Sequence, residues 1–311
     1  MIPLFTPRHV YDAVSPSRAL EAVRDAFVAY ARGEWTMPPK VYVPAYPAGD
    51  FRAMPALGGG YALLKWINSF PGNPAKGLPT VSGVVLISSA EDGHLVAALD
   101  AGAVTALRTG AAAVLAAETL GRADAETAAV VGAGVNGEAA AASFAARDRQ
   151  VLVWDLDERR ARAVAERVGG RVASREEALA ADLLVTVTPG REVLLAEGAL
   201  RPGQHVSLMG ADGPGKAEIA AAELARVHVF CDDWGQASHG GEIAAAVSAG
   251  LVTQADVTEL GQVLAGDAKG RRSPDDITAF DSTGLAIQDL AVSLAALERA
   301  GELEDLPTID L

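Results

Sequence analysis

The sequence predicts an α/β protein in which a Rossmann-type doubly wound parallel sheet is combined with a β-rich α+β domain. Three observations point there. A glycine fingerprint, Gly132-x-Gly134-x-x-Gly137, stands between an apolar run and a run of small residues. A strand, helix, strand rhythm extends from Thr127 to Asp233, and short β-like pieces separated by Gly and Pro turns fill the stretch from Lys40 to Asp100.

Composition bounds the rest. With 311 residues, half of them apolar and 21% charged, the chain has the make-up of a globular protein long enough for two cores. A formal charge of −14 disfavours nonspecific binding to nucleic acid or anionic membrane, so neither partner is expected. "MIPLFTPRHV" lacks a basic start followed by a long hydrophobic segment, and no run is read as bilayer-spanning, so a cytoplasmic location is expected. The lone Cys231 follows an apolar run and is read as a buried strand end. The histidines show no ligand spacing, and no metal site is predicted.

In chain order, "SPSRALEAVRDAFVAYARG" reads as a helix capped by Ser15, with Pro16 in the first turn and Gly33 at its end. "KVYVPAY", "YALLKWI" and "TVSGVVLIS" read as strands, and "VTALRTGAAAVLAAETLG" as a close-packing helix up to Gly121. The strands "TAAVV", "VLVWD", "LLVTVT", "HVSLMG" and "VHVFCDD" follow, separated by helical or turn-forming sequence. Finally "GLAIQDLAVSLAALERAG" sets Ile287, Leu290, Leu294 and Leu297 on one helical face, which is expected to return to the first domain.

The glycine fingerprint gains force from its surroundings. Gly132 permits the tight turn, Gly134 lets backbone amides approach a pyrophosphate, Gly137 permits close helix packing, and the helix N-terminus favours the negative charge. Asp155 ends the next strand 18 residues after Gly137, where a carboxylate can accept from ribose hydroxyls and repel a 2′-phosphate. NAD is therefore expected rather than NADP, with Arg159 and Arg160 close enough to soften the choice.

Charged residues also interrupt apolar or turn-rich sequence at Arg52, Lys65, Arg108, Asp212 and Lys216. Read singly, each has a bland explanation as a snorkelling, solvated or turn-capping side chain. "GADGPGK" is no Walker loop, because Ala217 follows where Ser or Thr is required. Its position after the apolar "HVSLM" instead puts Asp212 at the ligand-binding edge of an open α/β sheet.

Together these residues carry a resemblance. Through "MPPKVY", "FRAMPA", "LKWIN", "PGNPAKGLPT", "ALRTGAA", "GAGVNG", "GADGPGK", "HGGEI" and "FDSTGLAIQD", the chain resembles the ornithine cyclodeaminase/mu-crystallin family over nearly its full length. The resemblance implies a homodimer with a substrate and dimerisation domain at 1–115 and 284–311, and an NAD-binding Rossmann domain at 116–283. It implies a substrate carboxylate held by Lys65 and Arg108, with Arg52 and Thr80 also in the pocket, and Asp212 and Lys65 as the catalytic groups. The cofactor positions it implies are Thr109, Gly132, Gly134, Val135, Asn136, Gly137, Asp155, Thr186, Thr188 and Ser282. Asn136 departs from the Gln found in many members.

Three comparisons narrow the expected activity. Ornithine cyclodeaminases resemble this chain but carry Glu just before the Met-Pro pair, where Arg52 would repel a second substrate ammonium. They also carry Arg where this chain has Lys40. Mu-crystallin-type ketimine reductases lack the Asp of "GADGPGK" and favour NADPH. The resemblance thus implies the alanine dehydrogenase branch, interconverting L-alanine with pyruvate and ammonia. Reduction of ketimines such as pyrroline-2-carboxylate, a related imine-reducing synthase, and ornithine cyclodeamination are the alternatives. His239 in "SHGGEI" is read as a turn residue rather than a proton shuttle.

Overall fold

The computed structural model describes residues 1–190, 192–210 and 216–310; Asp212 therefore lies outside the described residues. The chain divides into two compact units, Met1–Arg108 with Leu285–Leu311, and Thr109–Gly284. The α/β class and the parallel sheet follow the sequence expectation.

The first unit is built on a seven-stranded sheet. Its strands are β1 (Ile2–Phe5), β2 (Val41–Ala45), β3 (Gly49–Gly58), β4 (Tyr61–Ser69), β5 (Val81–Ser89), β6 (Leu95–Asp100) and a C-terminal strand, Thr308–Ile309. They lie in the order C-terminal strand, β1, β6, β5, β4, β3, β2, with antiparallel pairing except between β1 and β6. Alternation along β4 buries Leu63, Lys65 and Ile67 on one face and leaves Leu64 and Trp66 exposed on the other. The C-terminal helix Ala286–Glu298 lies against β3, β4 and β5 and carries α2 (Pro16–Ala31) on it, while α1 (Pro7–Ala13) packs against β1 and β6. Ser15 caps α2 by accepting from the Arg18 amide at 3.2 Å, and Gly33 follows with a left-handed φ of 71°.

The opposite sheet face is apolar and open. Val41 is 57% exposed, Val43 45%, Leu57 47%, Leu64 41% and Trp66 40%. Phe51 stacks on Trp66 at a centroid distance of 5.6 Å, which fixes part of this face in place.

The second unit is a wholly parallel eight-stranded sheet. Its strands are β7 (Ala128–Val131), β8 (Val151–Trp154), β9 (Arg171–Val172), β10 (Leu183–Thr186), β11 (His205–Leu208), β12 (His228–Cys231), β13 (Val257–Glu259) and β14 (Thr278–Asp281). The order is β13, β12, β14, β11, β10, β7, β8, β9, so the winding reverses between β7 and β10. Such a switch point opens a crevice at the carboxyl ends of the two strands. The short strands β7, β10, β11 and β14 are buried throughout, as a sheet covered on both faces requires.

Helix α3 (Ala101–Leu120) contains the boundary between the units. At 20 residues it reaches the length and hydropathy of a bilayer span, longer than the sequence reading allowed, but 83% of its most apolar window is buried within the protein. Helices α4 (Val135–Ala145) and α5 (Glu158–Val168) flank the sheet, with Asp157 capping α5 through the Arg159 amide at 3.0 Å. At the amino end of β11, inside the sheet, His205 is buried between Thr278 Oγ1 at 2.9 Å and Ser207 Oγ at 3.0 Å. Burial lowers its pKa to about 3, keeping it neutral. Cys231 is buried, and burial beside Asp232 raises its thiol pKa, which suits a packing role.

Candidate active site

In the second unit the chemistry gathers at the carboxyl ends of the parallel strands. Gly132 leaves β7 with φ of 106°, a conformation side chains resist, and a Cβ there would lie 2.6 Å from the Val187 carbonyl oxygen. A Cβ at Gly137 would lie 1.7 Å from the Gly132 carbonyl oxygen, so only glycine lets α4 start this close to the strand end. Gly134 is the N-cap of α4, Val135 and Asn136 begin the helix, and Val135 is 66% exposed.

Asp155 follows β8. Its Oδ2 accepts from the Ala133 amide at 2.7 Å and its Oδ1 from the Asp157 amide at 2.8 Å. Each oxygen retains a lone pair, so the carboxylate is held in position and can still accept from a diol. Arg159 turns to Asp157, with Nη2 3.2 Å from Oδ2, and Arg160 stands 3.9 Å from the same oxygen. The buried Thr109 Oγ1 has no hydrogen-bond partner within the protein, leaving a hydroxyl available to an incoming group. These features fit a dinucleotide: a glycine cradle that side chains would fill, a preset acid and an unpartnered hydroxyl.

The remaining expected cofactor positions are tied to acids that sequence reasoning missed. Thr186 Oγ1 donates to Glu218 Oε2 at 2.8 Å, while the amide and Oγ1 of Thr188 reach Glu218 Oε1 at 2.7 and 2.6 Å. Gly210 N donates to Glu218 Oε2 at 3.0 Å, so one carboxylate joins the ends of β10 and β11. Glu242 in turn accepts from the Glu218 amide at 2.9 Å and the Ile219 amide at 3.4 Å. Burial, reinforced by Glu218, pushes Glu242 up to about 8, and burial raises Glu218 as well. Ser282 Oγ donates to Asp232 Oδ2 at 3.3 Å, and the same oxygen accepts from the amides of Thr283 and Gly284 at 2.7 and 2.8 Å. Lys216 stands next to Ala217, whose amide donates to the Gly190 carbonyl at 3.0 Å. His239 lies in the last turn of the helix Trp234–Gly240 rather than in a turn, with Nδ1 3.1 Å from the Gly235 carbonyl. Among the described residues no group of three or more His, Cys, Asp or Glu could hold a metal ion.

In the first unit a second polar cluster lies beneath the C-terminal helix. Lys65 points inward from the middle of β4 and is fully buried, with Nζ donating to Asp289 Oδ1 at 2.7 Å. Arg108 Nε lies 3.4 Å from the same oxygen, and its Nη1 is 3.5 Å from Gln288 Oε1. Burial lowers the Lys65 pKa to about 8, opposed by Asp289 and assisted by Arg108 and then Lys40. Arg52 forks onto Asp50, with Nε to Oδ1 at 2.6 Å and Nη2 to Oδ2 at 3.3 Å, and stacks 5.3 Å from the Tyr42 ring centroid. Thr80 is half-buried just before β5, its carbonyl accepting from the Phe70 amide at 2.8 Å.

A fold with a doubly wound dinucleotide-type sheet and a separate buried cationic cluster defines a two-domain oxidoreductase-like class. A model of the ornithine cyclodeaminase/mu-crystallin family matches residues 6–303, and the chain belongs to that family. It is 42% identical to the alanine dehydrogenase of Archaeoglobus fulgidus, over 96% of this chain and 94% of that protein. Among solved structures, an archaeal alanine dehydrogenase dimer with bound NAD superposes with a TM-score of 0.91 at 41% identity, covering 97% of this chain and 96% of the other. Thermococcus litoralis Δ1-pyrroline-2-carboxylate reductase, in complex with NADH and L-proline, also reaches 0.91, at 26% identity and with 97% and 98% covered.

Proposed function

We propose that the protein is an NAD-dependent alanine dehydrogenase that interconverts L-alanine with pyruvate and ammonia. The observation that carries this reading is the buried group of Lys65 and Arg108 around the single carboxylate of Asp289. Two cations against one anion leave a positive charge in a site shielded from water, which suits the α-carboxylate of a small amino or oxo acid. Near-identity of fold with an NAD-bound alanine dehydrogenase supports the cofactor and the reaction class.

Gly132, Gly134 and Gly137 would cradle the pyrophosphate, Asp155 the adenosine ribose, and Thr109 a further polar atom of NAD. When bound, the nicotinamide supplies or removes the hydride. Lys65 and Arg108 hold the substrate carboxylate, so that the reacting carbon is fixed before chemistry begins. Arg52 adds positive potential, partly offset by Asp50, and disfavours a substrate with a second ammonium. Asp212 is the proposed acid and base for addition of ammonia and loss of water. Asp212→Asn is expected to lower turnover at least about a hundredfold, within the usual range for such a group, while NADH titration remains at the parent value. Full turnover by this variant would remove Asp212 from the mechanism.

Homodimerisation is part of the same reading. The open apolar face around Val43, Leu64 and Trp66 suits a second copy of this chain, and an archaeal relative is a dimer.

A further inference from the structure

We propose that Asp289 is a positioning residue for the reaction, acting through Lys65 and Arg108 to hold the two cations as one carboxylate-binding pair. The inference rests on the carboxylate-clamp reading above and extends it to a residue of the C-terminal helix.

The geometry carries it. Asp289 is fully buried, and one of its oxygens, Oδ1, takes both the short bond from Lys65 at 2.7 Å and the approach of Arg108 Nε at 3.4 Å. Its neighbour Gln288 places Oε1 3.5 Å from Arg108 Nη1, and the same oxygen accepts from the Leu285 amide at 3.3 Å. The first turn of one helix therefore sets two cations from two other elements, β4 and α3. A cluster built only for stability would satisfy its buried polar atoms. Here Asp289 Oδ2, Gln288 Nε2 and Arg108 Nε are buried without hydrogen-bond partners, which marks the group as incomplete without a polar ligand.

Charge accounts for the division of labour. The groups acting on Lys65 are Asp289 from the C-terminal helix, Arg108 from α3, and Lys40 from the segment before β2; Arg52 and Asp50 on β3 form their own pair. Against burial and two cations, Asp289 is the one group among these that keeps Lys65 protonated. Without its negative charge Lys65 would lose its proton at lower pH, and the pair would lose half its hold on a carboxylate.

The test compares pyruvate kinetics, at saturating NADH and ammonium, across pH 6 to 9 for the parent and Asp289→Asn. The expected result is that the rise in pyruvate KM on the alkaline side moves down by about one pH unit or more. Loss in kcat/KM is then about fivefold or greater at pH 8 and much smaller at pH 6, with NADH affinity at the parent value. An equal loss at both pH values, or an unmoved alkaline limb in protein that still binds NADH, overturns the proposal. Should Asp289→Asn fail to fold, Asp289→Glu serves: it retains the charge but displaces it, so pyruvate KM should rise while the limb stays at the parent pH. A parent-like KM in that variant also overturns the proposal. Lys65→Met is measured in parallel, because an unchanged pyruvate KM there would refute the clamp itself, independently of Asp289.

Discussion

Lys65 shows how far one side chain's chemistry depends on its surroundings. An ammonium in the middle of a strand is costly to bury, and it persists because Asp289 faces it across the sheet-to-helix layer. With its pKa lowered to about 8, Lys65 is mostly charged at neutral pH and loses its charge just above it. The sign follows: a cation that binds a carboxylate is lost as pH rises, so pyruvate KM of the parent should climb above pH 8. Replacing Arg108 by Ala is expected to lower kcat/KM by about ten- to a hundredfold, because a charged hydrogen bond contributes roughly 1.5–3 kcal/mol. Steady-state kinetics in pyruvate checks both. The charged interruptions at Lys65 and Arg108 were legible in the sequence, because each breaks an apolar or small-residue run. Asp289 interrupts "GLAIQDLAVSLAAL" in the same way, but its partner lies 224 residues away and nothing local ties the two together.

At the scale of elements, the glycine turn and the strand ends determine what can bind. Gly137→Ala would drive a methyl group into the Gly132 carbonyl, so α4 must shift; a loss of about 1–3 kcal/mol in stability is expected. NADH affinity should weaken in parallel, measured by fluorescence titration. The Glu218–Glu242 pair makes a different prediction. Glu242 has a folded pKa raised to about 8, so the stability it contributes is full below its unfolded value and is lost as pH rises toward 8. Urea midpoints should therefore fall between pH 6.5 and 8, and Glu242→Gln should flatten that fall; an unchanged slope would contradict the assignment. Such acids were invisible to sequence reading because nothing local distinguishes Glu218 in "GKAEIA" from a solvated residue. Strands β1, β3 and β6 escaped for a related reason: tertiary pairing in the mixed sheet, rather than a long apolar alternation, makes them strands. By contrast β7 and β8 coincide with "TAAVV" and "VLVWD", because the fingerprint couples turn, strand and helix in one short segment.

The whole molecule combines a doubly wound, dinucleotide-type sheet with a second sheet that buries Lys65, Arg108 and Asp289 on one face and exposes apolar side chains on the other. The outer face predicts a dimer of twice the 31.9 kDa chain. Trp66→Glu with Leu64→Glu should convert it to monomers in light scattering, whereas a retained dimer would place the interface elsewhere. Pocket size separates alanine from a cyclic imino acid by only about 1–3 kcal/mol per methylene, and under the proposed clamp both substrates would present the same carboxylate to Lys65 and Arg108. The central claim is therefore tested most directly by NADH oxidation with pyruvate plus ammonium, run beside pyrroline-2-carboxylate. Faster turnover per KM on pyruvate and ammonium is the predicted result. Turnover on the cyclic imine alone would contradict it.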